Sequence, residues 1–124
     1  MADSKKVLLV DDSPTNLMVA RALLEGATCA VLSATNGQEG VAAALTEHPD
    51  LILMDVVVPG IDGFEACRRL RAMDETREIP IILVTTRSSP ENVELGYASG
   101  CNDYIIKPFD GDELRAKVRS LLGA

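Results

Sequence analysis

Residues 51–63 read Leu-Ile-Leu-Met-Asp-Val-Val-Val-Pro-Gly-Ile-Asp-Gly, and this stretch decides the fold. Its first four residues, Leu51–Met54, are apolar and run directly into Asp55, and Pro-Gly and Asp-Gly turn pairs follow. An apolar run bounded by turn residues predicts a strand that is buried on both faces of a sheet. Asp55 then lies at the carboxyl end of that strand, where open α/β sheets bind ligands. Its carboxylate needs a partner there, because burying a lone charge is costly.

The same pattern of an apolar run followed by a helical segment recurs along the chain. Apolar runs predict five strands, at 6–10, 29–33, 51–54, 81–84 and 104–106. Helical spacing and turn residues predict a helix after each strand, at 14–26, 38–47, 64–73, 90–99 and 110–122. Two of these helices begin with Ser-Pro, which supplies an N-cap and a first helical residue. Five strand–helix repeats predict a doubly wound α/β fold with a parallel five-stranded sheet and right-handed crossovers.

Composition limits what the chain can do. Its 124 residues suit one domain, 1–124, and 47% hydrophobic with 25% charged residues is typical of globular proteins. The balance of 12 Lys+Arg against 19 Asp+Glu gives a net charge of −7, which argues against nucleic acid as a partner of this domain. The segment MADSKK leads straight into a strand and no apolar run reaches membrane-spanning length, so we expect a cytoplasmic protein without membrane contact.

Two other features have plain structural interpretations. The three cysteines, Cys29, Cys67 and Cys101, are far apart, and no metal-binding spacing joins them. We therefore expect reduced, partly buried thiols. The basic run at 68–71 in the third helix is typical of a solvated helix face.

Every predicted strand except the second ends in a polar residue. In chain order these residues are Asp11, Asp12, Asp55, Thr85 and Lys107. Because the carboxyl ends of parallel strands meet at one edge of a sheet, we expect three carboxylates, a hydroxyl and an ammonium to lie close together. Each residue alone is compatible with a strand that simply ends, but the whole set on one edge favours a chemical site.

The chemistry of this set points to phosphoryl transfer. Three neighbouring carboxylates repel one another unless a cation lies between them, and all-oxygen ligands suit magnesium, which also binds phosphate oxygens. A carboxylate is also a competent nucleophile towards phosphorus, and the product is an aspartyl phosphate. The metal and Lys107 would neutralise the charge of the phosphoryl group, and the hydroxyl of Thr85 would donate a hydrogen bond to it.

With these residues in place, the chain resembles the receiver domain of two-component response regulators. The resemblance runs from Val7 to Leu122, and 30 residues separate Asp55 from Thr85, while 22 separate Thr85 from Lys107. It rests on four motifs: VDDSPTN, LILMDVVVPGIDG, IPIILVTT and DYIIKPF. The resemblance implies a flavodoxin-like (βα)5 fold with the strand order 2-1-3-4-5.

The family pattern also implies the phosphoacceptor and the metal ligands. Asp55 would accept the phosphoryl group from a histidine kinase or a histidine phosphotransferase. Asp12 and Asp55 would bind Mg²⁺ together with the backbone carbonyl of Val57, and Asp11 would bind it through water. Mn²⁺ could substitute for Mg²⁺. Catalysis would be limited to the domain's own phosphorylation and dephosphorylation, so we expect a signalling domain rather than an enzyme.

Further residues of the family pattern would contact the phosphoryl group or change position in response to it. Thr85 and Lys107 would contact it, and the family implies a cis peptide bond between Lys107 and Pro108. Tyr104 matches an aromatic switch position, although its side chain also reads simply as a half-buried strand residue. If Thr85 moves towards the phosphoryl group, Tyr104 can turn inward, which would change the surface formed by the fourth helix, fifth strand and fifth helix.

Three residues are candidates for setting the lifetime of the phosphoryl group. Val57 and Arg87 lie two residues after Asp55 and Thr85, at positions that modulate dephosphorylation in the family. An apolar Val57 cannot orient an attacking water, and Arg87 could shield or pair with the phosphoryl group. Thr86 would narrow access to the acceptor, so we expect a long-lived phosphorylated state.

Other functions are open to a chain with this pattern. A pseudo-receiver that binds partners without phosphorylation is the main alternative, and the intact acidic, Thr and Lys positions argue against it. An aspartyl phosphatase usually needs a second Asp where this chain has Val57, and a flavin protein needs more aromatic residues than two Tyr and two Phe. The downstream protein or fused effector domain is unknown, and a phosphorylation-linked homodimer through the last helix is a further hypothesis.

Overall fold

The structure is a computed structural model that describes residues 5–24, 29–108 and 110–123. Its strands are β1 (Lys5–Val10), β2 (Cys29–Ala34), β3 (Leu51–Met54), β4 (Ile81–Thr85) and β5 (Asp103–Ile106). Its helices are α1 (Pro14–Leu24), α2 (Gly37–Glu47), α3 (Gly63–Ala72), α4 (Pro90–Ser99) and α5 (Gly111–Leu122). All strands are parallel, in the order β2-β1-β3-β4-β5, which confirms the predicted fold. Within these ranges the predicted boundaries are off by one residue at most, while Gly26 lies outside the described residues.

The sheet separates two apolar layers, because successive side chains of a strand point to opposite faces. Leu8 and Ile52, which pair between β1 and β3, pack on the face covered by α2 and α3. Leu9 and Leu53, the next pair in the register, pack on the face covered by α1 and α5. Both central strands are therefore buried on both sides, which explains their continuous apolar sequences.

The two Ser-Pro pairs begin helices as their chemistry predicts. The hydroxyl of Ser13 accepts a hydrogen bond from the Asn16 amide at 3.2 Å, and that of Ser89 accepts one from the Asn92 amide at 3.2 Å. Each cap satisfies an amide that lacks a partner in the first turn of a helix. The helices α1 and α4 therefore start at the residues after these serines, directly beyond the ends of β1 and β4.

Two cysteines are buried inside the described part of the chain. Cys67 and Cys101 are free thiols, and burial raises the pKa of Cys67 to about 11 and that of Cys101 to about 12. Both thiols are therefore protonated at neutral pH and behave as small apolar side chains. The side chain of Cys29 lies outside what the structure describes.

No helix among the described residues combines the length and the apolar character that a membrane crossing requires.

The side chain of Arg71 ties α3 to two other segments, the loops before β4 and β5, which corrects the expectation of a solvated basic run. Its Nε donates to the carbonyl of Gly100 at 2.8 Å, and its Nη1 donates to the carbonyls of Ile79 at 2.7 Å and Arg77 at 3.0 Å. Its Nη2 donates to Oδ1 of Asn102 at 2.9 Å. A planar guanidinium with five donors suits this arrangement, in which one side chain serves several carbonyls.

We expect Arg71→Met to lower the free energy of unfolding by about 2–4 kcal/mol, because its acceptors, including the part-buried carbonyls of Ile79 and Gly100, lose their donor together. The matched control is Arg69→Met, since Arg69 lies on the same helix and makes an exposed ion pair with Glu65 at 3.0 Å. Solvent screens that exposed pair, so its loss should change the stability little. Urea unfolding of both variants checks the difference, and equal losses would contradict it.

Candidate functional site

The carboxyl ends of three strands meet at one ammonium group. Asp11 follows β1, Asp55 follows β3 and Lys107 follows β5, so their side chains leave the same edge of the sheet. Nζ of Lys107 donates to Oδ2 of Asp55 at 2.9 Å and to Oδ2 of Asp11 at 3.2 Å. These side chains are only 19% (Lys107), 13% (Asp11) and 12% (Asp55) exposed. The predicted convergence of these three residues is therefore present.

Two opposing effects act on the charge of Lys107. Burial by itself lowers the pKa of the ammonium, while the hydrogen bond and charge of Asp55 and the charge of Asp11 raise it. The attraction outweighs the burial, so the pKa of Lys107 lies above its ordinary value. A permanent positive charge therefore lies between the two carboxylates throughout the neutral pH range.

The carboxylate of Asp55 is oriented by its own loop as well as by Lys107. Its Oδ1 accepts a hydrogen bond from the backbone amide of Val57 at 3.0 Å, while its own amide donates to the carbonyl of Val10 at 2.9 Å. Both oxygens of the carboxylate thus have a donor, and the residue is 9% exposed. Asp55 is fixed at the sheet edge with one side reachable from outside.

The loop from β3 to α3 folds back closely on the end of β3. The amide of Gly63 donates to the carbonyl of Val56 at 2.8 Å, and a Cβ at Gly63 would lie 2.6 Å from the carbonyl oxygen of Asp55. Only glycine fits at that distance. The amide of Gly37, at the start of α2, donates to the carbonyl of Pro59 at 3.3 Å and holds the loop from the other side. This packing sets the path of the backbone at Val57.

Asp11 and Asp12 have different surroundings. Oδ1 of Asp11 accepts from the Ser13 amide at 2.9 Å, and Oδ2 accepts from the side-chain amide of Asn16 at 3.2 Å. Asp12 is exposed to solvent. Within residues 5–24, 29–108 and 110–123, no three His, Cys, Asp or Glu side chains gather into a preformed metal cluster. The structure therefore brings Asp11 and Asp55 together and leaves Asp12 at the rim.

Sequence reasoning gave no role to Asn16. Its side chain lies in the first turn of α1 and donates to Oδ2 of Asp11, the same oxygen that accepts from Lys107. The spacing from the N-cap Ser13 to Asn16 is a signal that was present in the VDDSPTN motif. Side chains in the first turn of a helix point back towards the preceding loop, so the side chain of Asn16 lies close to the acidic pair, Asp11 and Asp55.

The fourth and fifth strands carry a second network beside the acidic pair. Thr85 is fully buried, and its Oγ1 accepts from the backbone amide of Arg87 at 3.3 Å. The hydroxyl of Tyr104 donates to the carbonyl of Arg87 at 2.7 Å, and the residue is only 9% exposed. Tyr104 is thus more buried than the half-buried strand residue expected from the sequence, and its ring already lies inward. Arg87 joins Thr85 and Tyr104 through its backbone.

The remaining candidate residues lie at the surface. Val57 is 50% exposed, and the side chains of Thr86 and Arg87 are exposed as well. The peptide bond between Lys107 and Pro108 is cis, as the resemblance implied. A cavity of about 230 Å³ adjoins the acidic pair, lined by Asp11, Asp55, Lys107 and apolar residues of α1 and the sheet. Asp55 is accordingly next to open space.

Comparison with known proteins agrees with this geometry. A family model described as "Response regulator receiver domain" matches residues 7–119. Protein PilH of Pseudomonas aeruginosa is 43% identical over 117 residues, which cover 94% of this chain and 97% of PilH. Transcriptional regulatory protein ResD of Bacillus subtilis is 39% identical over 117 residues, which cover 94% of this chain but 48% of ResD.

A solved structure gives the same result at the level of the fold. The crystal structure of the receiver domain of the sensor histidine kinase PA1611 from Pseudomonas aeruginosa has a magnesium ion coordinated in its active site cleft. It matches with a TM-score of 0.89 and 34% identity, covering 98% of this chain and 100% of that one. Fold and site together define a signalling domain of two-component systems. The chain belongs to the response regulator receiver domain family.

We expect Lys107→Met to lower the free energy of unfolding by about 2 kcal/mol, because two mostly buried carboxylates lose the cation between them. The raised pKa of Lys107 means that its stabilising effect is complete below the ordinary value of 10.5 and declines only above it. The loss measured by urea unfolding should therefore be the same at pH 7 and pH 9.

The control for this variant is Lys117→Met. Lys117 also pairs with an aspartate, Asp103, at 2.9 Å, but the two side chains are 32% and 25% exposed. Solvent screening weakens such a pair, so its loss should be about 1 kcal/mol or less. A smaller loss for Lys107→Met than for Lys117→Met would show that the bridge at the sheet edge is not stabilising.

Proposed function

We propose that this domain is a phosphorylation-dependent switch in which Asp55 accepts a phosphoryl group from a histidine kinase or a histidine phosphotransferase. The observation that carries the proposal is the carboxylate of Asp55, whose Oδ2 faces the ammonium of Lys107 at 2.9 Å. An oxygen of Asp55 attacks phosphorus, the phosphorus–nitrogen bond of the phosphohistidine breaks, and an aspartyl phosphate forms. Lys107 then stabilises the negative charge of the transferred group.

The proposal includes a magnesium ion held by Asp12, Asp55 and the backbone carbonyl of Val57, with Asp11 bound through water. The donor set fits this ion, since all ligands are oxygens and Asp11 and Asp55 already share one cationic partner within 3.2 Å. When bound, the ion would neutralise charge on the phosphoryl oxygens. The exposed carboxylate of Asp12 is free to approach from the rim of the site.

In the proposed switch, phosphorylation changes the contacts of Thr85, and the change is passed through Tyr104 to α4. Thr85 would contact the phosphoryl group through its hydroxyl, which now accepts from the Arg87 amide. The α4–β5–α5 face carries exposed apolar side chains: Leu95 is 43%, Tyr97 47% and Ile106 41% exposed. Such side chains suit a face that binds a downstream protein, a fused effector domain or a second copy of the chain.

The first test is phosphorylation by acetyl phosphate in the presence of magnesium. Wild type should gain the mass of one phosphoryl group in intact-protein mass spectrometry, and Asp55→Asn should gain none, because an amide cannot form the acyl phosphate. The control is Asp74→Asn, a change to an exposed Asp in the loop after α3, which should be labelled as wild type is. Labelling should stop when EDTA removes the metal.

Two results would overturn the proposal. Unlabelled wild type in magnesium or manganese would indicate an interaction module that works without phosphorylation. Labelling of Asp55→Asn at the wild-type level would place the acceptor on another residue.

We also propose that Val57, Thr86 and Arg87 control the lifetime of the phosphoryl group. The side chain of Val57 is half exposed and apolar, so it offers an attacking water no hydrogen bond. The backbone of Arg87 already contacts Thr85 and Tyr104. Its exposed guanidinium would form an ion pair with the phosphoryl group. Thr86, between Thr85 and Arg87, would narrow the approach to Asp55.

We expect Val57→Asn combined with Arg87→Ala to shorten the phosphoryl lifetime by about tenfold, which corresponds to about 1.4 kcal/mol in the barrier. The polar amide would orient the attacking water, and removal of the guanidinium would uncover the phosphoryl group. The decay of phosphorylated protein after removal of acetyl phosphate measures this rate. Arg119→Ala, a change to an exposed Arg in α5, serves as control and should leave the decay unchanged. An unaltered lifetime in the double variant would refute these roles.

A further inference from the structure

Gly96 of α4 lies directly against the ring of Tyr104. A Cβ at position 96 would be 2.7 Å from Cδ2 and 2.9 Å from Cε2 of that ring, and 3.3 Å from Cδ1 of Leu83. Nonbonded carbon atoms normally approach to about 3.5–4.0 Å, so the ring and a side chain at position 96 exclude each other. The inward position of Tyr104 therefore depends on the missing side chain of Gly96.

The backbone does not require glycine at this position. Gly96 lies inside α4, two turns after the N-cap Ser89, in a segment with regular helical conformation. Glycine in a helix interior is less stable than alanine, so the residue weakens the helix in which it lies. Space for the ring is the contact that accounts for the glycine.

The C-terminal end of α4, which follows Gly96, is anchored by polar contacts. The carbonyl of Gly100 accepts from Nε of Arg71 at 2.8 Å, and Oγ of Ser99 accepts from Nη1 of Arg68 at 3.2 Å. The carbonyl of Gly96 itself accepts from the Cys101 amide at 3.2 Å. A side chain added at position 96 would therefore be relieved by movement of the ring rather than of this end of the helix.

The ring of Tyr104 connects Gly96 to the end of β4. Its hydroxyl donates to the carbonyl of Arg87 at 2.7 Å, and the amide of Arg87 donates to Oγ1 of Thr85 at 3.3 Å. If the ring leaves its inward position, the first of these hydrogen bonds is lost. The loop that begins at Thr86 then loses this hydrogen bond to β5, next to the residue proposed to contact the phosphoryl group.

We propose that Gly96 is a positioning residue that admits the Tyr104 ring to its inward place, and that any side chain there drives the ring outward. The position of the ring follows from packing alone. The consequence for signalling rests on the proposed switch, in which the inward ring accompanies the phosphorylated state. A side chain at position 96 then also weakens binding of a phosphoryl analogue, because coupling between two events acts in both directions.

The test follows the Tyr104 ring by ¹⁹F NMR in protein labelled with 3-fluorotyrosine. The chain has only two tyrosines, so Tyr97→Phe leaves Tyr104 as the single reporter. In this background we expect a resonance with little solvent isotope shift between H₂O and D₂O. Gly96→Ala should replace it with a solvent-exposed resonance, whereas the control Ala98→Ser, on the exposed side of α4, should leave it unchanged. A buried resonance that persists in Gly96→Ala would overturn the proposal.

A second comparison separates the clash from general effects on the helix. In a Tyr104→Ala background the ring is gone, so Gly96→Ala should raise the midpoint of urea unfolding through its better helix propensity. In the presence of the ring the same substitution should lower the midpoint or leave it unchanged. Equal changes of the midpoint in both backgrounds would show that Gly96 and Tyr104 are not coupled. This comparison does not depend on the Tyr97→Phe protein used for NMR.

Beryllofluoride with magnesium, an analogue of the phosphoryl group, tests the link to the switch. We expect Gly96→Ala to bind it about fivefold or more weakly than wild type does, within the range usual for such couplings. Unchanged affinity would refute the coupling of Gly96 to the site. If wild type itself does not bind beryllofluoride, the proposed phosphoryl switch fails, while the NMR and unfolding comparisons still decide the role of Gly96.

Discussion

The ammonium of Lys107 is the interaction on which the sheet edge depends. It lies between the carboxylates of Asp11 and Asp55 and so joins the ends of β1, β3 and β5 across the intervening β4. An uncompensated buried charge is strongly destabilising. The ammonium of Lys107 offsets the cost of burying the two carboxylates at this edge. The strand order 2-1-3-4-5 is what brings residues 11, 55 and 107 within reach of one another. Topology and electrostatics therefore depend on each other at this edge.

Most of the fold and the centre of the site could be predicted from the sequence, because both follow from periodicity. Apolar runs identified each strand, and the parallel order placed Asp11, Asp55 and Lys107 together. The role of Arg71 was missed because three arginines in one helix look alike in composition. Its position four residues after buried Cys67 and seven after buried Phe64 places it towards the interior, a spacing signal that the basic run concealed. The inward ring of Tyr104 was not predictable, since it depends on the tertiary contact with Gly96.

The helix α4 is held mainly by polar contacts. Its buried residues are Gly96 and Ser99, so the apolar surface that anchors it to the sheet is small. Arginines from α3 hold its C-terminal end, and Ser89 caps the other end beside the loop that follows β4. Free energy of burial is roughly proportional to apolar area, so displacing α4 would cost less than displacing a helix such as α3. The element beside Thr85 thus has a weaker apolar attachment than α3, whose buried residues include Phe64 and Leu70.

Position 57 combines a fixed backbone with a free side chain. The amide of Val57 donates to Asp55, and the loop around it is packed too tightly at Gly63 to take another path. The side chain, in contrast, is half exposed and absent from the apolar layers of the fold. Substitutions there alter the surroundings of Asp55 without disturbing the apolar layers. With Asp55 as the proposed phosphoacceptor, the residue at position 57 would adjust the duration of a signal independently of the folding of the domain that carries it.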